Sequence, residues 1–166
     1  MKDSKTRIGI SLADRRPAPL ASQIMAIIIG TLVATAANVI YYLLATGLFG
    51  IPMLALEQFP PPELSPIPVT DEVLFSFIFS FGAGVVLLIV ANFTRRPAQV
   101  YLVITLIVLI ISLFQPFMMP TPPIPLSTPV VLASMHILDA AVLVPILIGL
   151  GIPQDKNKQQ SSLRDA

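Results

Sequence analysis

The chain alternates between long apolar segments and shorter, more polar connections. Four segments are almost uninterrupted runs of apolar residues, at positions 20–44, 73–93, 98–114 and 130–152. A helix needs about 20 residues to cross a hydrocarbon layer of roughly 30 Å, and only the third segment is clearly shorter than this. The runs lack the strict alternation of apolar and polar residues that a membrane β-barrel requires. The pattern therefore predicts an all-α, four-helix transmembrane bundle.

Local signals predict where two of these helices begin and what the first long connection contains. Thr70 precedes the acidic residues 71–72, a pattern typical of an N-cap followed by acidic residues in the first turn. Residues 127–129 (Ser-Thr-Pro) have the same form, with proline at the first helical position. Residues 51–59 (IPMLALEQF) are expected to form a short helix at the level of the lipid head groups.

The basic residues predict how the helices are oriented. All ten lie before the first segment, between the second and third, or after the fourth: Lys2, Lys5, Arg7, Arg15, Arg16, Arg95, Arg96, Lys156, Lys158 and Arg164. The other two connections, residues 45–72 and 115–129, contain no basic residue and are rich in proline. Basic loops stay on the cytoplasmic side of a membrane. We therefore expect both termini to be cytoplasmic and the two proline-rich loops to lie outside.

This topology divides the chain into three parts. Residues 1–19 form a basic cytoplasmic tail, residues 20–152 the membrane domain, and residues 153–166 a polar cytoplasmic tail. The alternative is a cleaved signal peptide, with the small residues 34–36 as the cleavage site. The apolar run extends well beyond those residues, so a retained first helix is the favoured interpretation.

Composition supports a membrane location and excludes several classes of chemistry. Hydrophobic residues make up 55% of the chain and charged residues 11%, whereas soluble proteins carry about 25% charged residues. A net charge of +1 gives no attraction to nucleic acid, and the absence of cysteine excludes thiol chemistry. One histidine cannot supply the three or four ligands of a typical zinc site. No nucleotide-binding or hydrolase motif is present, so we predict no cofactor and favour a non-enzymatic protein.

The predicted spans contain few polar residues, and these form the candidate site. Asp139 is the only acidic residue in a span, and no span contains a basic residue that could neutralise it. It must be protonated, pair with a protonated His136 one turn away, or accept hydrogen bonds from neutral groups. Serines and a glycine at four-residue spacing in the second span would let another helix approach closely. The candidate intramembrane polar cluster comprises Asn38, Ser76, Ser80, His136 and Asp139.

Two interpretations of this cluster remain open. It could be a pocket that binds a small ligand or relays protons, because ionisable groups at the centre of a bilayer are usually functional. It could instead consist of interhelical hydrogen bonds that fix how the helices pack. Asn38 also belongs to a set of polar residues with helical spacing on one face of the first span, together with Thr31, Thr35 and Tyr42.

Three short motifs resemble those of a known family. They are Ala37-Asn38 in the first span, residues 93–97 (FTRRP) at the turn between spans two and three, and Met135-His136 in the last span. On these residues the chain resembles a bacterial family of small four-span membrane proteins classed as a domain of unknown function, over roughly residues 20–150. The resemblance implies a multi-pass protein of the bacterial cytoplasmic membrane, and it implies no activity, ligand or catalytic residue.

Three functional hypotheses follow from these observations. The leading one is a non-enzymatic accessory, assembly or partner-binding subunit, because no complete catalytic set is present. The alternative is a small transporter or receptor for a proton-linked or apolar solute, centred on the polar cluster. An intramembrane enzyme that uses His136 and Asp139 as acid and base ranks third. The expected partners are the lipid bilayer and either further copies of the chain or a larger membrane complex, with no nucleic acid.

Overall fold

The computed structural model describes residues 18–57, 63–118 and 125–152. Four long helices dominate these residues, and all four are long and apolar enough to cross a membrane. This confirms the predicted all-α fold with four spans. The helices are α1 (Leu20–Leu43), α2 (Val69–Phe93), α3 (Pro97–Phe114) and α4 (Ser127–Gly151).

Helices α2, α3 and α4 begin before the predicted spans, and prolines determine several of the helix ends. A π-helical turn, Leu44–Leu48, continues α1, and a 3₁₀ turn, Gln115–Met118, continues α3. The predicted N-cap at Thr70 is wrong, because α2 already begins at Val69. The backbone carbonyl of Pro68 accepts the first helical hydrogen bond of α2, from the amide of Asp71 at 3.0 Å. A proline without an N–H group is well suited to the position just before a helix.

The start of α4 also differs from its prediction. The helix begins at Ser127, directly after Leu126, and has no side-chain cap. Thr128 is therefore inside the first turn, and its hydroxyl instead donates to the backbone carbonyl of Pro52 at 2.6 Å. The side chain that the sequence assigned to helix capping thus ties α4 to the first long connection.

The short helix predicted at residues 51–59 is wrong. Strand β1 (Leu54–Glu57) pairs with strand β2 (Glu63–Pro66) in an antiparallel hairpin, with Leu54 opposite Pro66. Residues 58 and 59 lie outside the described residues. A nine-residue helix would leave most of its terminal amides and carbonyls without intrahelical partners, whereas the hairpin pairs them across the ladder. We call the end of the bundle that carries this hairpin the hairpin face, and the opposite end, with the α2–α3 turn, the turn face.

The four helices pack with α1 and α3 on opposite sides of the α2 and α4 pair. Helix α1 packs mainly against α4 and α2, and α3 covers α4 and α2 less extensively. Two apolar clusters occupy the two ends of the bundle. The one at the turn face includes Ile27, Leu87 and Leu147, and the one at the hairpin face includes Tyr42 and Met135.

Close approach between helices depends on glycine. A Cβ atom added at Gly84 of α2 would lie 2.8 Å from Cγ2 of Ile27 on α1. A Cβ added at Gly151 of α4 would likewise lie 2.8 Å from Cδ2 of Leu87. Large side chains of one helix therefore lie directly against the backbone of the next, as small-residue interfaces in membranes permit. Most other large apolar side chains on the helices point outward, where a bilayer would contact them.

Candidate functional site

Asp139 lies at the centre of α4. Twelve helical residues precede it and twelve follow it within Ser127–Gly151. At 1.5 Å per residue, the carboxyl group is attached about 18 Å from either end of the helix. If α4 crosses the bilayer along its length, Asp139 is therefore close to the midplane.

Neutral side chains from two other helices bind the Asp139 carboxyl group. The Nδ2 amide of Asn38 donates to Asp139 Oδ1 at 3.2 Å, and the hydroxyl of Ser80 donates to the same oxygen at 3.0 Å. The second N–H of Asn38 donates to the Ser76 hydroxyl at 3.0 Å. We call these four residues, Asn38, Ser76, Ser80 and Asp139, the polar seam. It joins α1, α2 and α4 through side chains alone.

The seam shows how the bundle accommodates its single central acid. Ser80, Ser76 and Asn38 are 0%, 6% and 5% exposed, so the donors to Asp139 are themselves enclosed by the helices. Every lysine and arginine of the sequence lies outside the four helices. In the structure, Asp139 accepts hydrogen bonds from neutral groups, which is one of the three arrangements that the sequence allows.

His136 does not join the seam. Its side chain is half-buried one turn closer to the hairpin face, and in the described part of the chain no hydrogen bond links it to the other four predicted residues. Its neighbour Met135 packs into the apolar cluster at that end. Residues three apart on a helix differ by about 60° in direction, enough for Asp139 to bond to Asn38 and Ser80 while His136 bonds to neither. The structure thus joins Asp139 to Asn38 and Ser80, and among the described residues no hydrogen bond joins Asp139 to His136.

Comparison with known protein families finds a match over residues 18–150, to a family of unknown function, DUF6069. The chain belongs to the DUF6069 family. The match includes the whole polar seam and all four helices apart from the last residue of α4, and it confirms the resemblance to a family of small four-span proteins of unknown function. No curated protein and no solved structure matches the chain.

Two further hydrogen bonds between side chains join helices of this DUF6069 protein, and the sequence did not predict either. The hydroxyls of Tyr41 and Ser134 lie 2.7 Å apart, between α1 and α4 near the hairpin face. At the turn face, Asn92 Nδ2 donates to Gln23 Oε1 at 3.0 Å, between α2 and α1. The signal for the second contact was present, because both amides interrupt apolar runs near the same end of the bundle.

The base of the hairpin is bonded to α1 on the hairpin-face side of the polar seam. The Tyr42 hydroxyl donates to the carbonyl of Ile67 at 2.6 Å, and the Ile67 amide donates to the carbonyl of Met53 at 2.8 Å. The Met53 side chain is 2% exposed and packs into the apolar cluster of the hairpin face. The first connection is thus part of the packed structure rather than only a spacer between helices.

Four buried side-chain atoms of the described residues have no hydrogen-bond partner: Thr31 Oγ1, Thr35 Oγ1, Asn38 Oδ1 and Tyr101 Oη. Three of them belong to α1. By contrast, the hydroxyls of Thr46 and Thr94 donate to the backbone carbonyl four residues earlier, at 2.9 and 2.8 Å. Within the part of the chain that the structure describes, no group of three or more His, Cys, Asp or Glu residues could hold a metal ion.

Proposed function

We propose that this DUF6069 protein is a small proton-linked membrane transporter or receptor, in which Asp139 takes up and releases the proton. One observation supports the proposal: a carboxyl group at the centre of α4 is bound only by neutral donors from two neighbouring helices. A purely structural contact between helices could use serine or asparagine, which carry no charge. An acid at this depth costs about 2.5–3.5 kcal/mol on insertion scales, which makes such residues rare unless they serve a function.

The polar seam can bind Asp139 in both its protonated and its ionised form. Asn38 and Ser80 both donate to Oδ1, so they stabilise a carboxylate by hydrogen bonds to its charged form. Both donors act on the same oxygen, and Oδ2 is therefore the oxygen on which we place the proton. Loss and uptake of that proton change the charge inside the bundle by one unit without breaking either hydrogen bond.

The test is infrared spectroscopy of the full chain in lipid vesicles as the pH is changed. We expect a protonated-carboxyl band that diminishes at high pH, and that is absent in Asp139→Asn. The matched control is Asp71→Asn, which removes an exposed acid at the start of α2 and should leave the band in place. Spectra of the wild-type chain and Asp139→Asn that do not differ at any pH would contradict the proposal.

A comparison of two substitutions separates proton binding from structural support. Asp139→Asn keeps an oxygen that can accept from Asn38 and Ser80, whereas Asp139→Leu removes it. If the seam only fixes helix packing, Asp139→Asn should fold and function normally and Asp139→Leu should be unstable. If Asp139 carries protons, we expect Asp139→Asn to fold normally but to lose proton uptake into vesicles loaded with a pH-sensitive dye.

A non-enzymatic accessory or assembly subunit is the second candidate function, and helix α3 supports it. Its large side chains point outward almost throughout, and the most exposed include Val103, Leu106, Val108, Ile111 and Phe114. A photocrosslinking residue at Ile107 in native membranes should then capture one defined protein. The matched position is Leu32 on α1, which is 58% exposed compared with 53% for Ile107. Adducts with lipid alone at both positions would argue against this function.

We further propose a bacterial cytoplasmic membrane as the location, with the turn face on the cytoplasmic side. The distribution of all ten basic residues supports this orientation. The chain contains no cysteine, so single cysteines can be introduced without background labelling. A membrane-impermeant thiol reagent applied to intact cells should label Ser65→Cys in the hairpin and should not label Arg96→Cys in the α2–α3 turn. The reverse result would invert the topology.

A further inference from the structure

Asp139 interrupts a row of enclosed residues on α4. Met135, Leu143 and Leu147 lie along one face of the helix, at multiples of four residues from Asp139, and they are 4%, 2% and 0% exposed. Asp139 itself is only half-buried. Its Oδ1 atom accepts the hydrogen bonds of the polar seam, whereas Oδ2 accepts none from a described residue and yet is not one of the enclosed atoms without a partner. Part of the Oδ2 surface is therefore open, on a face of α4 that points into the bundle.

Apolar packing closes the turn-face side of Asp139 but not the whole of the hairpin-face side. Toward the turn face, Ile27, Leu87 and Leu147 come from three different helices, and each is at most 6% exposed. Such a region offers a proton no polar atom to bind. Among the described residues, the apolar cluster at the hairpin face has members from α1, α4 and the first connection, and none from α2. A polar route from Asp139 can therefore follow α2 toward the hairpin face.

The inner face of α2 stays polar from the seam to that end of the bundle. Ser80 and Ser76 belong to the polar seam, and Glu72 follows at the same interval of four residues. Glu72 is half-buried, whereas its neighbour Asp71 is exposed. It lies three residues into α2, about 4.5 Å along the axis from the first residue of the helix, and is thus close to the water at the hairpin face. Glu72 and Asp139 are also near enough for their charges to interact.

Glu72 has no competing partner in the described part of the chain. No hydrogen bond holds its side chain there, and the four helices contain no basic residue. On α1, the hydroxyls of Tyr41 and Tyr42 already form hydrogen bonds. On α4, His136 is half-buried and has no bond to the seam, and on α3, Tyr101 belongs to the apolar cluster at the turn face. Glu72 is therefore a half-buried acid whose side chain is free to exchange a proton.

We propose that Glu72 passes protons between the water at the hairpin face and Asp139. The inference rests on the proposed proton-linked function and adds the side from which Asp139 is reached. One proton moves in each transfer. It leaves the Glu72 carboxyl group and binds Oδ2 of Asp139, so that Glu72 becomes ionised, Asp139 becomes neutral and the total charge is unchanged. Two nearby carboxylates disfavour each other, so the loss of a proton by one acid favours its uptake by the other. Ser76, between them on α2, has a hydroxyl that can accept one proton while it donates another.

Proton uptake into vesicles loaded with a pH-sensitive dye tests the role of Glu72. We expect Glu72→Gln to slow uptake by the full chain about a hundredfold, the lower end of what a positioned proton-transfer group contributes. Glu72→Asp should retain most of the uptake, because it keeps the acid. The matched control is Asp71→Asn, which removes the exposed neighbouring acid and should leave the rate unchanged. Uptake by Glu72→Gln at the wild-type rate would overturn the inference.

The infrared band of Asp139 separates this inference from the proposed function. Glu72→Gln should keep the band, because Asp139 and its two donors are unchanged, and the band also shows that the variant has folded. If Glu72→Gln takes up protons normally while Asp139→Asn does not, the path through Glu72 is wrong and the proton-linked function stands. If Asp139→Asn also takes up protons normally, the proposed function itself fails.

A measurement on the wild-type chain decides the matter if Glu72→Gln does not fold. Vesicles in which all copies of the chain have the same orientation are acidified on one side at a time, and the return of the Asp139 band is followed. We expect the band to return faster when acid is added at the hairpin face than when it is added at the turn face. Equal rates, or a faster return from the turn face, would refute the path through Glu72.

Discussion

Helices α1 and α3 are similarly apolar, but they differ sharply in how many of their residues are buried inside the bundle. Both are apolar and uncharged, and α3 is the more apolar of the two. Yet α1 buries eight residues inside the bundle, whereas α3 buries only Pro97 and Tyr101. The buried face of α1 consists mostly of small and polar residues, such as Ala26, Gly30 and Asn38, while Leu32 and other large apolar residues of α1 point outward.

The difference shows that hydropathy and burial are separate properties in a membrane protein. Lipid tails are as apolar as leucine, so burial of a large apolar side chain between helices gains little from the hydrophobic effect. Close packing and interhelical hydrogen bonds hold helices together instead, and both require small or polar residues. Helix α3 provides few of these and faces outward, whereas α1 has them at helical spacing on the face that packs against α2 and α4.

The largest expected effect comes from disrupting the close packing of α1. Gly84→Ala on α2 would place a methyl group 2.8 Å from Cγ2 and 3.2 Å from Cβ of Ile27. Ile27 is branched at Cβ and cannot move aside by a small rotation, so the two helices must separate. We expect a loss of about 1–3 kcal/mol, typical of overpacking, measured by reversible unfolding in mixed micelles.

Gly82 provides the matched control on the same helix. A Cβ added at Gly82 meets nothing within 4 Å. Gly82→Ala should therefore be neutral or stabilise the protein by up to about 1 kcal/mol, because alanine is the better helix former. If Gly84→Ala and Gly82→Ala changed the unfolding free energy equally, α1 and α2 would have to pack less closely than they do in this structure.

A smaller effect is expected from the hydrogen bonds of α1. Asn38→Leu removes two interhelical bonds, to Ser76 and to Asp139. Such bonds average about 0.6 kcal/mol each in membranes, so we expect a loss of about 1 kcal/mol in the same unfolding assay. The control on α3 is Ser112→Ala, because this hydroxyl donates only to its own helix, at the carbonyl of Leu109. If Ser112→Ala lowered the unfolding free energy as much as Asn38→Leu, the contrast between the interhelical bonds of α1 and the local bond of α3 would be contradicted.

The same contrast explains which parts of the structure the sequence could predict. Apolar runs are local signals, and they located all four helices. The spacing of polar residues identified the buried face of α1, and four of the five predicted site residues are in contact. The hairpin was missed because the partner of Leu54–Glu57 is a second segment several residues away, which no local pattern in β1 reveals.

Two other errors have a different physical origin. The N-caps at Thr70 and Thr128 were misplaced because the first helical hydrogen bonds are accepted by the carbonyls of Pro68 and Pro125, rather than by a side chain. His136 was grouped with Asp139 because periodicity gives the relative directions of two residues on α4. It does not give the rotation of α4 about its axis, which decides which of them bonds to Asn38 and Ser80.

The smallest expected effect tests the outward face of α3 directly. Ile107→Ala shortens a side chain that is 53% exposed and that a bilayer would contact. Lipid can fill the space, so no cavity forms and we expect a change of less than about 0.5 kcal/mol in unfolding free energy. The matched substitution is Leu147→Ala in α4, where the side chain is 0% exposed and packs against Gly30 of α1. The cavity left there cannot be filled by lipid, so the loss of unfolding free energy should exceed that of Ile107→Ala.

A different result for Ile107→Ala would point to a partner of α3. If this substitution lowers the unfolding free energy as much as Leu147→Ala in native membranes but has no effect in micelles, α3 must contact another protein in the membrane. The accessory function would then gain direct support.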